Sequence, residues 1–121
     1  MALSSSKETK VVTGIFQDLP ITPHATTSKI VENNERLRHV VFAMDTGCDM
    51  KEHASPRAVV VTLLQGVMDF WIGAEKSVLR AGDVIYLAPG EPHSLKAVEP
   101  CYMALTLVDV AHFPAEQEQK G

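Results

Sequence analysis

The chain has 121 residues, of which 45% are hydrophobic and 21% are charged, as is usual for a single globular domain. This balance excludes disorder over most of the length, and no apolar run approaches the roughly 20 residues that a membrane helix needs. The net charge of −4, with acidic residues scattered along the chain, argues against direct binding to nucleic acid. No secretory signal is visible at the start, so a cytoplasmic location is expected.

Short apolar runs separated by glycine and proline are typical of β-strands rather than of helices. The predicted strands, in chain order, are Lys10–Phe16, Thr27–Val31, Arg36–Met44, Ala58–Gln65, Val67–Ile72, Lys76–Leu79, Val84–Leu87, His93–Val98 and Cys101–Val108. Turn residues separate them at the spacing that antiparallel sheets require. The sequence therefore predicts an all-β sandwich or barrel without a helical layer.

The strand predicted at Ala58–Gln65 is apolar on both of its alternating faces, so both faces should be covered. One face is expected to belong to the core. The other carries Val60, Thr62 and Leu64, and an exposed apolar row of this kind promotes aggregation. We therefore expect a second copy of the chain to cover it, which makes a homodimer the expected assembly.

Glycine and histidine recur at defined spacings between residues 47 and 93. The first segment runs from Gly47 through five residues to His53, then through Ser55 and Val59 to Gly66, with gaps of one, three and six residues. Glycine at the corners of a small barrel supplies a positive φ or a close backbone approach. This segment therefore marks a barrel corner and places one histidine near it.

A second segment begins at Gly82 and runs through Pro89-Gly90 to His93. The two segments resemble the two motifs of the cupin superfamily, Gly-x5-His-x-His-x3-Glu-x6-Gly and Gly-x5-Pro-x-Gly-x2-His-x3-Asn. The positions that depart from these motifs are Ser55, Val59, Ala88 and Ala97. The resemblance implies a small single-domain cupin with an all-β double-stranded β-helix, a jelly-roll-like barrel.

The resemblance also bears on metal binding. In metal-binding cupins two histidines and a glutamate of the first motif, with one histidine of the second, converge on a divalent transition metal. Carried over, His53 and His93 occupy two of these four positions, whereas Ser55 is a poor ligand and Val59 is none. This implies at most a damaged site for Fe, Mn, Ni, Cu or Zn, and a pocket without metal is an equal alternative.

Two functions are compatible with this pattern. In the first, the barrel binds a small molecule of unknown identity, as a sensor or regulatory binder, and His53, Ser55, Arg57 and His93 orient the ligand. An inward Arg57 would bind a carboxylate or phosphate, although an exposed arginine at the strand end is an equal alternative. In the second, His53 and His93 serve a metal-dependent enzyme of the dioxygenase or isomerase type. The replacement of half the ligand set favours the first.

The resemblance also suggests how the chain is organised. Residues 1–25 are expected to form a partly flexible N-terminal extension, with Val11–Phe16 as a candidate strand for exchange between two copies. Residues 26–112 are expected to form the barrel, and residues 113–121 a flexible C-terminal tail. The other histidines, His24, His39 and His112, are expected to have surface or structural roles, and both cysteines to remain free thiols.

Overall fold

The computed structural model describes residues 3–110, in which two antiparallel sheets face each other. A short helix, α1 (Ile15–Asp18), precedes the strands β1 (Thr26–Asn33), β2 (Leu37–Met44), β3 (Asp49–His53), β4 (Ala58–Gln65), β5 (Val67–Ile72), β6 (Glu75–Arg80), β7 (Val84–Leu87), β8 (His93–Ala97) and β9 (Cys101–Val108). The larger sheet has the order β1-β2-β9-β4-β7, and the smaller sheet has the order β3-β8-β5-β6.

From β2 onward the chain passes repeatedly between the two sheets. After β2 in the larger sheet the chain enters the smaller sheet with β3, returns with β4, leaves again for β5 and β6, and returns with β7. This winding is a double-stranded β-helix, so the predicted all-β barrel is confirmed. Eight of the nine predicted strands overlap β1, β2 and β4 to β9.

The main core lies between the sheets, and both contribute to it. Its buried residues are Met44, Val59, Val61, Leu63, Met68, Phe70, Leu79, Leu87, Leu95, Ala97, Cys101 and Met103. Most stand at alternate positions of their strands, as expected for side chains that point to one face of a pleated sheet. Because residues paired across neighbouring strands share a face of the sheet, the pairing shows which residues of each strand point toward the core and which point outward.

A second, smaller core covers the outer face of the larger sheet. Leu19 packs there against Val41, Ala43, Tyr102 and Ala104, which are the outward residues of β2 and β9. The hydroxyl of Tyr102 donates to the carbonyl oxygen of Leu19 at 2.8 Å. The segment before β1 is therefore docked on the outside of its own barrel by apolar contact and by a buried hydrogen bond.

The strand predicted at Lys10–Phe16 is wrong for the chain as folded. Gly14 has a φ of 70°, and this left-handed conformation ends the extended backbone just before α1 begins at Ile15. Exchange of this segment between two copies stays a prediction. Within residues 3–110 no helix has the length and apolar character to cross a membrane.

β3, which carries His53, was not among the strands predicted from the sequence. Its five residues include four polar ones, so no apolar alternation marks it. β3 pairs only with β8 at the edge of the smaller sheet, with a register irregularity between Met50 and His53. An edge strand of this kind is held by backbone pairing on one side more than by side-chain burial, which is why the sequence does not reveal it.

The two faces of β4 differ. Its inner row, Val59, Val61 and Leu63, belongs to the main core. In its outer row Val60 and Thr62 are half-buried, and Leu64 is 38% exposed. The inner face of β4 is therefore fully covered, as expected. Its outer face is covered only in part by the rest of the chain.

Candidate ligand site at one end of the barrel

Two histidines meet at one end of the barrel. His53 closes β3 and His93 opens β8, and the two are direct partners in the register of the smaller sheet. Their ring centroids are 4.3 Å apart, with the ring planes inclined at 59°. On its other side His93 is paired with Ile72 of β5. The predicted site residues His53 and His93 are therefore neighbours, although forty positions separate them along the chain.

A tight turn before β8 places His93. Gly90 has a φ of 83°, and the N–H of Glu91 donates to the carbonyl of Ala88 at 3.2 Å, which closes a turn around Pro89-Gly90. The N–H of Gly90 donates to the carbonyl of Ser55 at 2.7 Å. This bond joins the turn before β8 to the loop after β3. The two motif segments of the sequence are thus linked directly at the site.

Both imidazoles have a defined tautomer. Nδ1 of His53 lies 2.7 Å from the carbonyl oxygen of Lys51, and Nδ1 of His93 lies 2.9 Å from that of Glu91. A carbonyl oxygen only accepts, so each Nδ1 carries the hydrogen and donates it. In a neutral ring Nε2 then bears the free lone pair. The pair therefore presents two hydrogen-bond acceptors, or two metal-ligating nitrogens, at the barrel end.

The two histidines differ in exposure. His93 is 7% exposed, and its ring is stacked on Phe70 with centroids 5.8 Å apart and planes within 3°. Phe70 itself is 1% exposed and belongs to the main core. His53, by contrast, is solvent-exposed at the sheet edge. His93 thus forms part of the inner wall, and His53 forms the rim.

The other two predicted site residues, Ser55 and Arg57, lie in the loop between β3 and β4. The Ser55 hydroxyl accepts a hydrogen bond from the backbone N–H of Arg57 at 3.1 Å, and both residues are half-buried. Arg57 lies in a bend just before β4, so the alternation of that strand does not determine which way its side chain points. Ser55 therefore has a local structural contact, and the direction of the Arg57 guanidinium stays a prediction.

Arg38 is a further candidate residue for this site, and it was not among the residues predicted from the sequence. It lies on β2 opposite Leu107 of β9, which is itself opposite Val59 of β4. Leu107 and Val59 both contact the main core, so Arg38 shares their inward face. The Nε of Arg38 is buried and has no hydrogen-bond partner within residues 3–110. The signal was available, because the alternation that turns Phe42 and Met44 inward also turns Arg38 inward.

Arg38 and the histidine pair belong to the same end of the barrel but to opposite walls. The loop from His53 leads directly into the start of β4. There Val59 stands in the same row of the larger sheet as Arg38, with Leu107 of β9 between them. Ile72 continues the inner row of the smaller sheet beyond His93. Arg38, the two imidazoles and the apolar side chains of Ile72 and Leu107 therefore belong to this end.

The remaining histidines have other roles or positions. Nδ1 of His39 lies 2.8 Å from the hydroxyl of Thr106, its register partner on the outer face of the larger sheet. His24 lies in a turn before β1 with a φ of 59°. His112 falls outside the described residues. None of these brings a further imidazole to the barrel end within residues 3–110.

The donor set does not fit the four-ligand cupin metal site. Val59, at the position of the glutamate, is 3% exposed within the main core, and Ser55 is hydrogen-bonded within its loop. Across residues 3–110 no group of three or more histidine, cysteine, aspartate or glutamate side chains is placed to hold a metal ion. Two neutral imidazoles alone would hold a divalent metal weakly.

A separate cavity lies away from this end. It has a volume of about 310 Å³ and is lined by Gly14, Ile15, Phe16 and Gln17 of the N-terminal segment. No ionisable side chain lines it. We therefore place the candidate site at the histidine-bearing end of the barrel, where the polar groups converge.

Known proteins with this fold include several of similar size. A conserved protein of unknown function from Streptococcus pyogenes is 29% identical, with a TM-score of 0.76 over 90% of this chain and 96% of that one. A cupin superfamily protein from Desulfitobacterium hafniense is 14% identical, with a TM-score of 0.74 over 88% and 94% of the two chains. These likenesses agree with a barrel that spans most of the chain.

A larger enzyme shares the fold. Salicylate 1,2-dioxygenase from Pseudoaminobacter salicylatoxidans, solved as adducts with gentisate, is 15% identical and has a TM-score of 0.65. The match covers 78% of this chain and 28% of that one, so it supports the fold alone. No curated protein sequence matches the chain significantly. Residues 40–115 match the cupin domain family, and the chain therefore belongs to the cupin family.

Proposed function

We propose that this cupin binds a small organic molecule at the histidine-bearing end of its barrel, without a resident metal. The observation that carries the proposal is the fixed tautomer of His53 and His93, whose Nδ1–H groups are both held by backbone carbonyls. The two Nε2 lone pairs are therefore free to accept hydrogen bonds. A ligand hydroxyl or amino group would satisfy them.

The surroundings of the pair support a ligand with an apolar body. His93 is stacked on Phe70, and Ile72 and Leu107 are half-buried on the inner faces of the two sheets. Such side chains exclude water from a bound molecule, while a few polar groups orient it. The proposed ligand therefore has an apolar centre and at least one hydrogen-bond donor.

A metal-dependent enzyme of the dioxygenase or isomerase type is the second candidate. The same tautomer favours it, because metal-ligating histidines commonly donate their other N–H to a carbonyl. The enzyme with this fold that acts on salicylate is in keeping with it. The lack of a third ligand within residues 3–110 argues against it. We therefore rank it second.

Nitrogen-15 NMR of the imidazoles tests the proposal directly. We expect both rings to report a protonated Nδ1 and an unprotonated Nε2, and a bound ligand to shift the two Nε2 resonances in metal-free buffer. His93→Leu should weaken ligand binding, whereas His39→Gln, on the outer face, serves as the matched control. Ligand binding that requires added metal would overturn the metal-free proposal in favour of the second candidate.

We further propose that the protein works as a cytoplasmic homodimer. On the outer face of β7, Val84 is 58% exposed and Tyr86 is 63% exposed, opposite Thr62 and Val60 of β4. β7 is an edge strand, so this apolar face adjoins an unpaired backbone. A second copy would cover both. Sedimentation velocity should give a dimer that Tyr86→Lys converts to a monomer, and a monomeric wild type would contradict the proposal.

A further inference from the structure

We infer that Arg38 selects the charge of the ligand, so that the site takes a small carboxylate whose far end carries a hydrogen-bond donor. The inference rests on the proposed function, because it assigns the ligand class of that same site. To the histidine pair it adds Arg38, from the opposite wall of the barrel, and it requires the ligand to carry a negative charge.

The inference starts from the buried Nε of Arg38, which has no hydrogen-bond partner within residues 3–110. A guanidinium stays charged in proteins, and a buried donor without a partner costs free energy. The Nε of Arg38 is such a donor. The ion pairs formed within residues 3–110 do not include Arg38. Glu75 and Glu91 lie at the same end of the barrel but are solvent-exposed, and Asp109, which follows β9 two positions after Leu107, is half-buried and has a partner of its own. Arg38 is therefore an inward charge with an unused donor.

The geometry of the two walls sets the shape of the ligand. Facing sheets pack about 10 Å apart, and Arg38 and the histidine pair belong to different sheets. A molecule that reaches both needs an anionic group at one end and a donor at the other. Leu107, the neighbour of Arg38, and Ile72, the neighbour of His93, favour an apolar centre between them.

A carboxylate matches a single guanidinium in both geometry and charge. Its two oxygens accept the paired N–H groups of the arginine fork. One arginine balances one negative charge, whereas a doubly charged phosphate would keep an unbalanced charge beside apolar side chains. Each imidazole already donates its Nδ1–H to a backbone carbonyl, so its neutral form offers only an acceptor at Nε2 and no positive charge. We therefore assign a monocarboxylate.

Three probes separate the two ends of the proposed ligand. 4-Hydroxybenzoate carries a carboxylate and a hydroxyl across an apolar ring, 4-hydroxybenzamide lacks the charge, and benzoate lacks the hydroxyl. Titrations at up to millimolar concentration are followed by the Nε–Hε resonance of Arg38 and by the backbone amides. We expect the acid to bind about ten- to a hundredfold more tightly than the amide, as for a hydrogen bond to a charged group.

Variants assign the preference to Arg38. Arg38→Met should bind acid and amide equally, Arg38→Lys should restore part of the preference, and Arg36→Met, an exposed neighbour, should behave as wild type. Arg38→Met should also raise the midpoint of thermal unfolding, because it removes an unpartnered buried donor. A lowered midpoint would assign Arg38 a structural role and overturn the inference.

Other outcomes distinguish this inference from the proposed function. Equal binding of acid and amide by the wild type, or loss of the preference in Arg57→Met instead of Arg38→Met, overturns the role of Arg38 and leaves binding at the histidines intact. Binding of the acid and benzoate alike, unchanged in His93→Leu, overturns the proposed function and keeps the role of Arg38. No binding of any probe at millimolar concentration overturns the ligand class assigned here.

Discussion

His53 and His93 face each other with ring centroids 4.3 Å apart, and each donates Nδ1–H to the carbonyl two residues before it in the chain. The bonds that orient the two rings are therefore local, and neither depends on a ligand. A pair that is oriented in advance loses little conformational freedom on binding. This pre-organisation supports a binding role for the end of the barrel.

Metal content distinguishes the two candidate functions. We expect the protein purified without chelators, and reloaded with Fe, Mn, Ni, Cu or Zn in turn, to hold well under one metal per chain, because two imidazoles bind weakly. The double variant His53→Ala and His93→Ala should leave this background unchanged while it weakens ligand binding. Elemental analysis measures both. A stoichiometric metal that the double variant loses would show a functional metal site.

Gly66 and Gly82 provide a matched pair for stability. Both have a strongly positive φ, 96° and 93°. A β-carbon on Gly66 would overlap the carbonyl oxygen of Pro100, whereas one on Gly82 meets nothing within 4 Å. Gly82→Ala should cost about 1–2 kcal/mol through backbone strain alone. Gly66→Ala should cost at least about 3 kcal/mol, because the backbone must also move.

Urea unfolding of the two glycine variants checks this difference. The two midpoints should separate clearly, with an unchanged dependence on urea concentration. Equal losses of stability would contradict the close approach of Gly66 to Pro100. A larger loss for Gly82→Ala would contradict the open space around that turn.

Asp45 links a turn to acid stability. Its carboxylate accepts the backbone N–H of His24 and that of Thr46, both at 2.8 Å, and these bonds hold the pKa of Asp45 below its usual value. Because the pKa is lower in the folded state, the bonds stabilise the protein above the unfolded pKa. That stabilisation is lost as the pH falls through the folded pKa. Asp45 therefore contributes to unfolding at low pH.

Asp45→Asn should remove this pH dependence. Between about pH 5 and pH 3 the variant should lose less free energy of unfolding than the wild type, since an amide does not titrate. Asp49→Asn, an exposed change on β3, serves as the control and should follow the wild-type curve. Chemical unfolding at a series of pH values gives the comparison. Parallel curves for wild type and Asp45→Asn would contradict the role of the turn.

The two cysteines should differ in reactivity. Cys101 is buried, and burial raises the pKa of its thiol to about 11, while its Sγ lies 2.9 Å from the carbonyl of Glu99. Because the thiolate is the nucleophile, Cys101 should not react with thiol reagents in the folded protein at about pH 8. A thiol reagent should label one cysteine in the native chain and two after unfolding. Native labelling of Cys48→Ser would contradict this.

The sequence was enough to predict strands that supply side chains to the main core. Alternating or continuous apolar runs mark β4, β5, β7 and β9, because the inward side chains of a pleated strand must be removed from water. The turns at Gly66 and Gly90 were also predictable, since few residues other than glycine accept their backbone conformation. These signals are local and survive in a single sequence.

The strand β3 and the N-terminal segment were not predictable in this way. β3 has polar residues and depends on pairing with β8, and the segment before β1 becomes a docked turn of helix instead of a strand. In both, contacts with distant parts of the chain decide the conformation. Tyr102, more than eighty positions away, holds Leu19 against the outer face of the larger sheet.

The sequence by itself determined the family, the barrel and the two histidines, because each depends on residue types at short, regular spacing. Only the tertiary structure decided how these residues act together. It set both imidazole tautomers through backbone carbonyls and placed Arg38 on the wall opposite the histidines. Strand alternation specifies the face of a side chain, but the packing of one sheet on the other determines what that face meets.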